Sequence, residues 1–197
     1  LGIISIVMGA WLGERTLVLL GIHTSFMTVL QVLINGLAVS LMAGLSTRAI
    51  EAIHSVILYL TTLTMIFAIM AVFHGFRAML WARRFMQAFL VFVAVGLVFA
   101  PLGFHHRLLP FLLVFSILFS VVTIIAAYRW MRAGEPAGVW YFIGVSVYGA
   151  LLMAFAGRVL SLLPLTAVSA WVFPAVVLGQ IAVITIGVTV AMQANLR

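Results

Sequence analysis

The sequence contains no lysine, no aspartate and no cysteine, and each absence excludes a class of function. Retinal proteins hold their chromophore through a lysine Schiff base, so a rhodopsin is excluded. Without cysteine the chain forms no disulfide, no thiolate metal site and no cysteine nucleophile. Its acidic residues are Glu14, Glu51 and Glu135, and none of them lies inside an apolar block. Proton- or sodium-coupled transport usually depends on a carboxylate within the membrane, so that function is disfavoured.

Hydrophobic residues make up 66% of the 197-residue chain and charged residues only 7%, which indicates a membrane protein. A hydrocarbon core of about 30 Å takes roughly 20 helical residues to cross. The apolar residues form seven blocks: 1–12, 17–45, 55–75, 85–104, 108–128, 139–163 and 171–193. The alternation of a β-barrel is absent, and backbone polar groups in lipid must bond within their own segment. We therefore predict an all-α fold, a seven-transmembrane-helix bundle in one domain over residues 1–197.

The first block is too short to cross a membrane alone. We expect it to be the end of a span truncated at its N-terminus, and the alternative is a helix that lies in the interface. The chain starts in apolar sequence without Met and ends on AMQANLR without a helix stop signal. We accordingly expect a longer protein, in which an outer sensory module and a cytoplasmic output module flank this chain.

The arginines predict the orientation of the bundle. One set of joints holds Arg15, Arg77, Arg83, Arg84, Arg129, Arg132 and Arg197. The other set holds only Arg48 and Arg107, so the positive-inside rule places the N-terminus outside and the C-terminus in the cytoplasm. The net charge of +7 is spread over loops rather than along one basic stripe, so no nucleic-acid partner is expected.

The joint RWMRAGEPAG, residues 129–138, is charged and rich in turn-forming residues. Arg129 and Arg132 suit the negative end of the fifth helix, and Gly134 permits a turn. Pro136 suits the first position of the sixth helix, with Glu135 beside the positive end of that helix. The joint predicts a well-capped loop without a catalytic role.

Four polar residues in the predicted spans are candidates for binding a ligand or relaying a signal. Arg158 in the sixth block and Gln180 in the seventh lie about one turn apart in depth, within reach of a guanidinium. The alternative is that Arg158 extends to the lipid headgroups. Gln31 and Asn35 are four residues apart and share a helix face. Such residues most often hydrogen-bond a neighbouring helix, and only sometimes line a ligand pocket.

Three histidines lie on the predicted outer side: His54, His105 and His106. Glu51 and His54 have the Glu-x-x-His spacing of carboxylate–histidine metal sites, so these four residues form a candidate metal or anion site. The alternative is a set of ordinary interfacial side chains, because a second carboxylate is missing. A haem held by His23 and His74 is a more remote alternative. We expect no cofactor.

The stretches GERTL, RAGEPAGVWYFIGVSVYGALLMAFAGRVLSLLPL and VLGQIAVITIGVTVAMQANLR together resemble the bacterial seven-transmembrane receptors with diverse intracellular signalling modules. The second stretch is similar to the family's Arg-x-Gly followed by an aromatic-rich sixth helix and a Leu-Leu-Pro turn. The chain departs from the family at Gln180, where a Glu is expected, and at His23 and Phe26, where tyrosines are expected.

The resemblance implies a role and no active site. That role is a sensor in the bacterial inner membrane, which relays an extracytoplasmic stimulus to an output such as a diguanylate cyclase or histidine kinase. The membrane part would be non-catalytic and homodimeric through its C-terminal linker helix. The alternative is a transporter or binding protein for a small molecule or lipid, with Gln31, Asn35, Arg158 and Gln180 lining its cavity.

Overall fold

The structure, a computed structural model, describes residues 2–34, 42–72, 79–159, 179, 185–190 and 193. Within these residues the chain is helical, with short turns and no strand. The elements are α1 (Gly2–Leu12), α2 (Arg15–Ile34), α3 (Thr47–Val72), α4 (Leu80–Phe99), the 3₁₀ helix η1 (Ala100–Leu102), α5 (His105–Arg132) and α6 (Gly138–Val159). The prediction of an all-α fold is confirmed for the described residues.

Among the described residues, four helical segments are long and apolar enough to cross a membrane: Arg15–Leu33, Thr47–Ala71, Leu80–Leu102 and His105–Arg132. Two further apolar helices, Gly2–Leu12 and Gly138–Ala154, are shorter. The seventh predicted block, 171–193, lies mostly outside the described residues. The presence of seven spans and the orientation of the termini therefore remain predictions.

Three helices begin three or more residues before the apolar blocks that predicted them. α3 starts at Thr47 rather than 55, α4 at Leu80 rather than 85, and α5 at His105 rather than 108. Each start therefore includes polar or charged residues that the sequence analysis assigned to joints. The reason is physical: a helix keeps its backbone hydrogen bonds into the interface, whereas the hydrophobic composition stops at the edge of the lipid.

The joint between α5 and α6 ends α5 with a Schellman motif. Gly134 has a φ of 80°, its N–H donates to the carbonyl of Met131 (3.1 Å), and the N–H of Glu135 donates to the carbonyl of Trp130 (3.4 Å). This left-handed residue is glycine because a Cβ would be strained there. The expectation for Pro136 is wrong, because α6 starts two residues later, at Gly138.

The described chain divides into two compact units, residues 1–71 with 83–112 and residues 72–82 with 113–197. The core of the first unit is built from α2, α3 and α4, and includes Leu20, Tyr59, Ile66, Phe89 and Val93. In the second unit the buried face of α5 contains Phe119, Thr123, Ala126 and Ala127. The opposite face of α5 exposes apolar side chains at every third or fourth residue: Phe111, Val114, Leu118, Val121, Ile125 and Tyr128. An exposed apolar stripe of this length is suited to lipid.

Helices α1 and α2 form a close hairpin in the first unit. A Cβ built at Gly21 would lie 2.6 Å from the carbonyl oxygen of Gly2 and 2.7 Å from the amide nitrogen of Ile6. A Cβ at Gly9 would lie 2.7 Å from the amide nitrogen of Val18. The two backbones are therefore in direct contact, and small residues permit this approach, as is common between membrane helices.

Replacement of Gly21 by valine is expected to lower the unfolding temperature of the purified protein, because the added side chain forces α1 away from α2. Overpacking of this kind typically costs about 1–3 kcal/mol. The control is Ala10→Val, which adds the same side chain at an exposed position of α1. Equal unfolding temperatures for the two variants would show that the close hairpin does not contribute to stability.

Candidate functional site

A buried histidine joins α2 to α3. His23 is 5% exposed, and its Nδ1 lies 3.2 Å from the carbonyl oxygen of Thr61. A carbonyl only accepts, so Nδ1 carries the proton and donates. The hydroxyl of Thr64 also lies 3.5 Å from Nδ1 and donates to the carbonyl of Leu60 at 3.0 Å. These contacts assign His23 an interhelical structural role, whereas His74, its partner in the haem alternative, lies outside the described residues.

Serine and threonine hydroxyls in these helices bond mainly to the backbone of their own helix. Examples are Thr24 to Leu20, Ser55 to Glu51, Thr61 to Ile57, Thr62 to Leu58, Ser120 to Ser116 and Thr123 to Phe119, all at 2.7–3.1 Å. Each bond runs to the carbonyl four residues earlier, so the hydroxyl is satisfied without help from another helix. A polar group at the end of a long side chain lies too far from its own helix to bond to these backbone carbonyls.

Tyr59 is such a residue, and it lies where three helices meet. Its ring is fully buried (0% exposed) in the middle of α3, with the backbone of Gly96 in α4 directly against it. A Cβ at Gly96 would lie 2.7 Å from both Cδ1 and Cζ of the ring. The ring also meets His105 of α5 edge to face, with centroids 6.3 Å apart and planes at 82°.

These contacts define how three helices run in the first unit. Gly96 lies near the end of α4, and His105 is the first residue of α5. Glu51 and His54, near the start of α3, lie close enough to His105 for their charges to act on its imidazole. α3 and α5 therefore begin at the same end of the unit and α4 ends there, as expected for helices that cross a membrane in alternate directions.

The structure places the four residues of the predicted metal site in one neighbourhood. His105 and His106 are adjacent, with ring centroids 5.7 Å apart, and His54 and Glu51 are close enough to His105 for electrostatic interaction. However, no group of three or more His, Asp or Glu side chains is arranged to hold a metal ion within the part of the chain that the structure describes. The metal interpretation therefore has no support from this geometry, whereas the anion interpretation and the alternative of ordinary interfacial side chains stay predictions.

The four candidate ligand or relay residues are described unequally. Gln31 is partly buried in α2, and its Nε2 is buried with no hydrogen-bond partner among the described residues. Arg158 lies in α6, one residue before the end of that helix. Asn35 and Gln180 lie outside the described residues, so the pairs Gln31–Asn35 and Arg158–Gln180 stay predictions.

The sequence analysis did not identify Tyr59, although the pattern around it was available. Ser55, Tyr59 and Thr62 are all buried and are spaced four and three residues apart, so they share one face of α3. A polar stripe at helical spacing inside an apolar span predicts a face turned towards other helices rather than lipid. The role of Gly96 could not have been found in this way, since its partner lies in a different helix.

Apolar helices of membrane-spanning length, with exposed apolar faces and buried polar contacts, define a multi-pass helical membrane protein. Residues 1–189 match the model of the family described as 7TM diverse intracellular signalling, and the chain belongs to this family. It is thus a transmembrane signalling sensor domain, which operates in a lipid bilayer with an intracellular signalling partner. No curated protein and no solved structure matches the chain.

Proposed function

We propose that this chain is the membrane domain of a receptor in the bacterial inner membrane, which relays an extracytoplasmic stimulus to a cytoplasmic output module such as a diguanylate cyclase or a histidine kinase. The observation that supports this most strongly is the family match over residues 1–189. The distribution of arginine supports an outer N-terminus and a cytoplasmic C-terminus. In this proposal the membrane domain itself is non-catalytic, and the chemistry belongs to the output module.

The contacts of α3 suggest how a stimulus could be transmitted through the first unit. α3 is bonded to α2 through Thr61 and His23, packs against α4 at Gly96, and meets α5 at His105. A shift at the start of α3 therefore changes the contacts of three other helices. A signalling domain requires two arrangements of its helices with different contacts, so that a stimulus can favour one of them.

The last helix would carry the change to the cytoplasm. Residues 185–190 are helical, and the sequence that follows them to Arg197 has no Gly or Pro. We propose that this helix continues as a linker through which two copies form a homodimer. The rotational phase of the linker then determines the state of the output module.

Insertion of two residues after Asn195 in the full-length protein is expected to abolish the normal response of the output activity to its stimulus. Each residue turns a helix by about 100°, so two residues rotate the output module by roughly 200° relative to the membrane domain. An insertion of seven residues, one heptad, preserves the phase of a coiled coil and is the matched control. Output is measured as the activity of the module in membranes. An unchanged response after insertions of one, two and four residues would contradict the proposal.

A further inference from the structure

Tyr59 and His105 carry polar atoms that the protein does not satisfy. Tyr59 Oη and His105 Nδ1 are both buried, and neither has a hydrogen-bond partner within the described parts of the chain. Buried polar groups in proteins are almost always hydrogen-bonded, so an exception calls for a ligand or another partner. The two residues contact each other through their rings, and both unsatisfied atoms therefore belong to one neighbourhood.

The electrostatics of this neighbourhood favour a negative ligand. α5 begins at His105 itself, so the partial positive charge of its N-terminus lies at this pair, whereas α3 begins at Thr47, at the same end of the unit. Their first turns contain Arg48 and Arg107, and the same end carries three imidazoles, from His54, His105 and His106. Neither first turn contains an acidic residue, and Glu51, the next residue of α3, is exposed. A phenol O–H can donate a hydrogen bond, and so can a protonated imidazole nitrogen.

We propose that Tyr59 and His105 form a binding site for a small oxyanion, a carboxylate or a phosphate group, at the end of the first unit where α3 and α5 begin. The ligand accepts hydrogen bonds from Tyr59 Oη and His105 Nδ1, and the N-terminus of α5, where His105 is the first residue, stabilises its charge. Gly96 lets the ring of Tyr59 lie against the backbone of α4, and this contact helps to position the tyrosine.

The site accounts for a tyrosine at a position where phenylalanine would pack equally well. An unsatisfied buried hydroxyl destabilises the unliganded protein. A bound oxyanion removes that penalty and joins α3 to α5. Binding would then favour one arrangement of the helices. The binding site goes beyond the relay proposed above and does not depend on it.

The test measures binding to this chain in nanodiscs of phosphatidylcholine, without an output module, so that failure of the relay does not affect the result. Sodium acetate and sodium phosphate are titrated against sodium chloride at constant ionic strength, and the thermal unfolding temperature is recorded. We expect a saturable rise with at least one of the two oxyanions. Tyr59→Phe and His105→Phe, which keep the ring contact, should each raise the half-saturating concentration at least tenfold.

The control is Tyr128→Phe, an exposed tyrosine of α5 whose ring contact with Phe142 is retained, and its response should equal that of the wild type. Without oxyanion, Tyr59→Phe should unfold at the wild-type temperature or above it. A second series uses nanodiscs that contain phosphatidylglycerol. If stabilisation that depends on Tyr59 appears only there, the oxyanion is a lipid phosphate, and the site is supported.

Three results would overturn the proposal. The first is that neither free oxyanion nor phosphatidylglycerol changes the unfolding temperature. The second is a wild-type response in both Tyr59→Phe and His105→Phe. The third is a marked loss of stability of Tyr59→Phe without any oxyanion, because it would show that the hydroxyl has a partner within the protein.

Discussion

Replacement of Gly96 by alanine is expected to destabilise the protein strongly, although it adds a single methyl group. The new Cβ would overlap the ring of Tyr59, which is fully buried and also contacts His105. The added methyl group and the ring cannot occupy the same space, so either α4 moves away from α3 or the tyrosine leaves its position. Overpacking in a core typically costs about 1–3 kcal/mol, and a lower unfolding temperature in detergent or nanodiscs would report it.

A second substitution tests whether the tyrosine is the cause. Tyr59→Leu removes the ring, so Gly96→Ala should cost much less in that background than in the wild type, and a double-mutant cycle measures the difference as a coupling energy. Ala94→Val is the matched control, since it enlarges an exposed residue of the same helix. Additive effects of the two substitutions would contradict the contact. The same variants are informative for the oxyanion site, because Gly96→Ala should also weaken binding.

Single cysteines introduced into this cysteine-free chain are expected to label from opposite sides of the membrane. Leu45→Cys and Phe104→Cys lie in the connections before α3 and before α5, and Ala133→Cys lies between α5 and α6; all three positions are exposed. The positive-inside rule places the first two outside and the third in the cytoplasm. An impermeant maleimide added to spheroplasts should therefore label the first two only, and in inverted vesicles only Ala133→Cys.

The native chain, which contains no cysteine, provides the background control for this experiment. Labelling of Leu45→Cys and Ala133→Cys from the same side would contradict the alternating arrangement of the spans. Labelling of all three with the sides exchanged would reverse the proposed orientation. In that case the end where α3 and α5 begin would face the cytoplasm, and a cytoplasmic oxyanion would reach the proposed site.

The bounds of the helices show what apolar composition can and cannot predict. The centres of α2 to α5 lie within the predicted blocks, because a span must be apolar where it meets hydrocarbon. The start of α3 was misplaced by eight residues, since a helix continues into the interface where charged residues are tolerated. The Schellman motif at Gly134 agrees with the predicted turn, because a left-handed residue is a local requirement that one glycine can satisfy.

In the candidate site, too, local features were predicted from the sequence and contacts between helices were not. Glu51 and His54 were identified from their spacing along one helix, which is local information. The contact of Tyr59 with Gly96 and His105 joins residues up to 46 positions apart, and no periodicity in the sequence indicates it. The pair Arg158–Gln180 was predicted only because the two residues lie at similar depths in the membrane. Depth does not determine which helices are neighbours.

The sequence by itself determined that this protein is helical, that it belongs in a membrane, and that it is a member of a signalling family. A chain that is 66% hydrophobic can cross lipid only as helices or as a closed barrel, and its composition is enough to choose between the two. Only the tertiary structure decided which polar groups meet: His23 with Thr61, and Tyr59 with Gly96 and His105. The physical reason is that side chains on separate helices are brought together by packing, which depends on the shapes of whole helix faces.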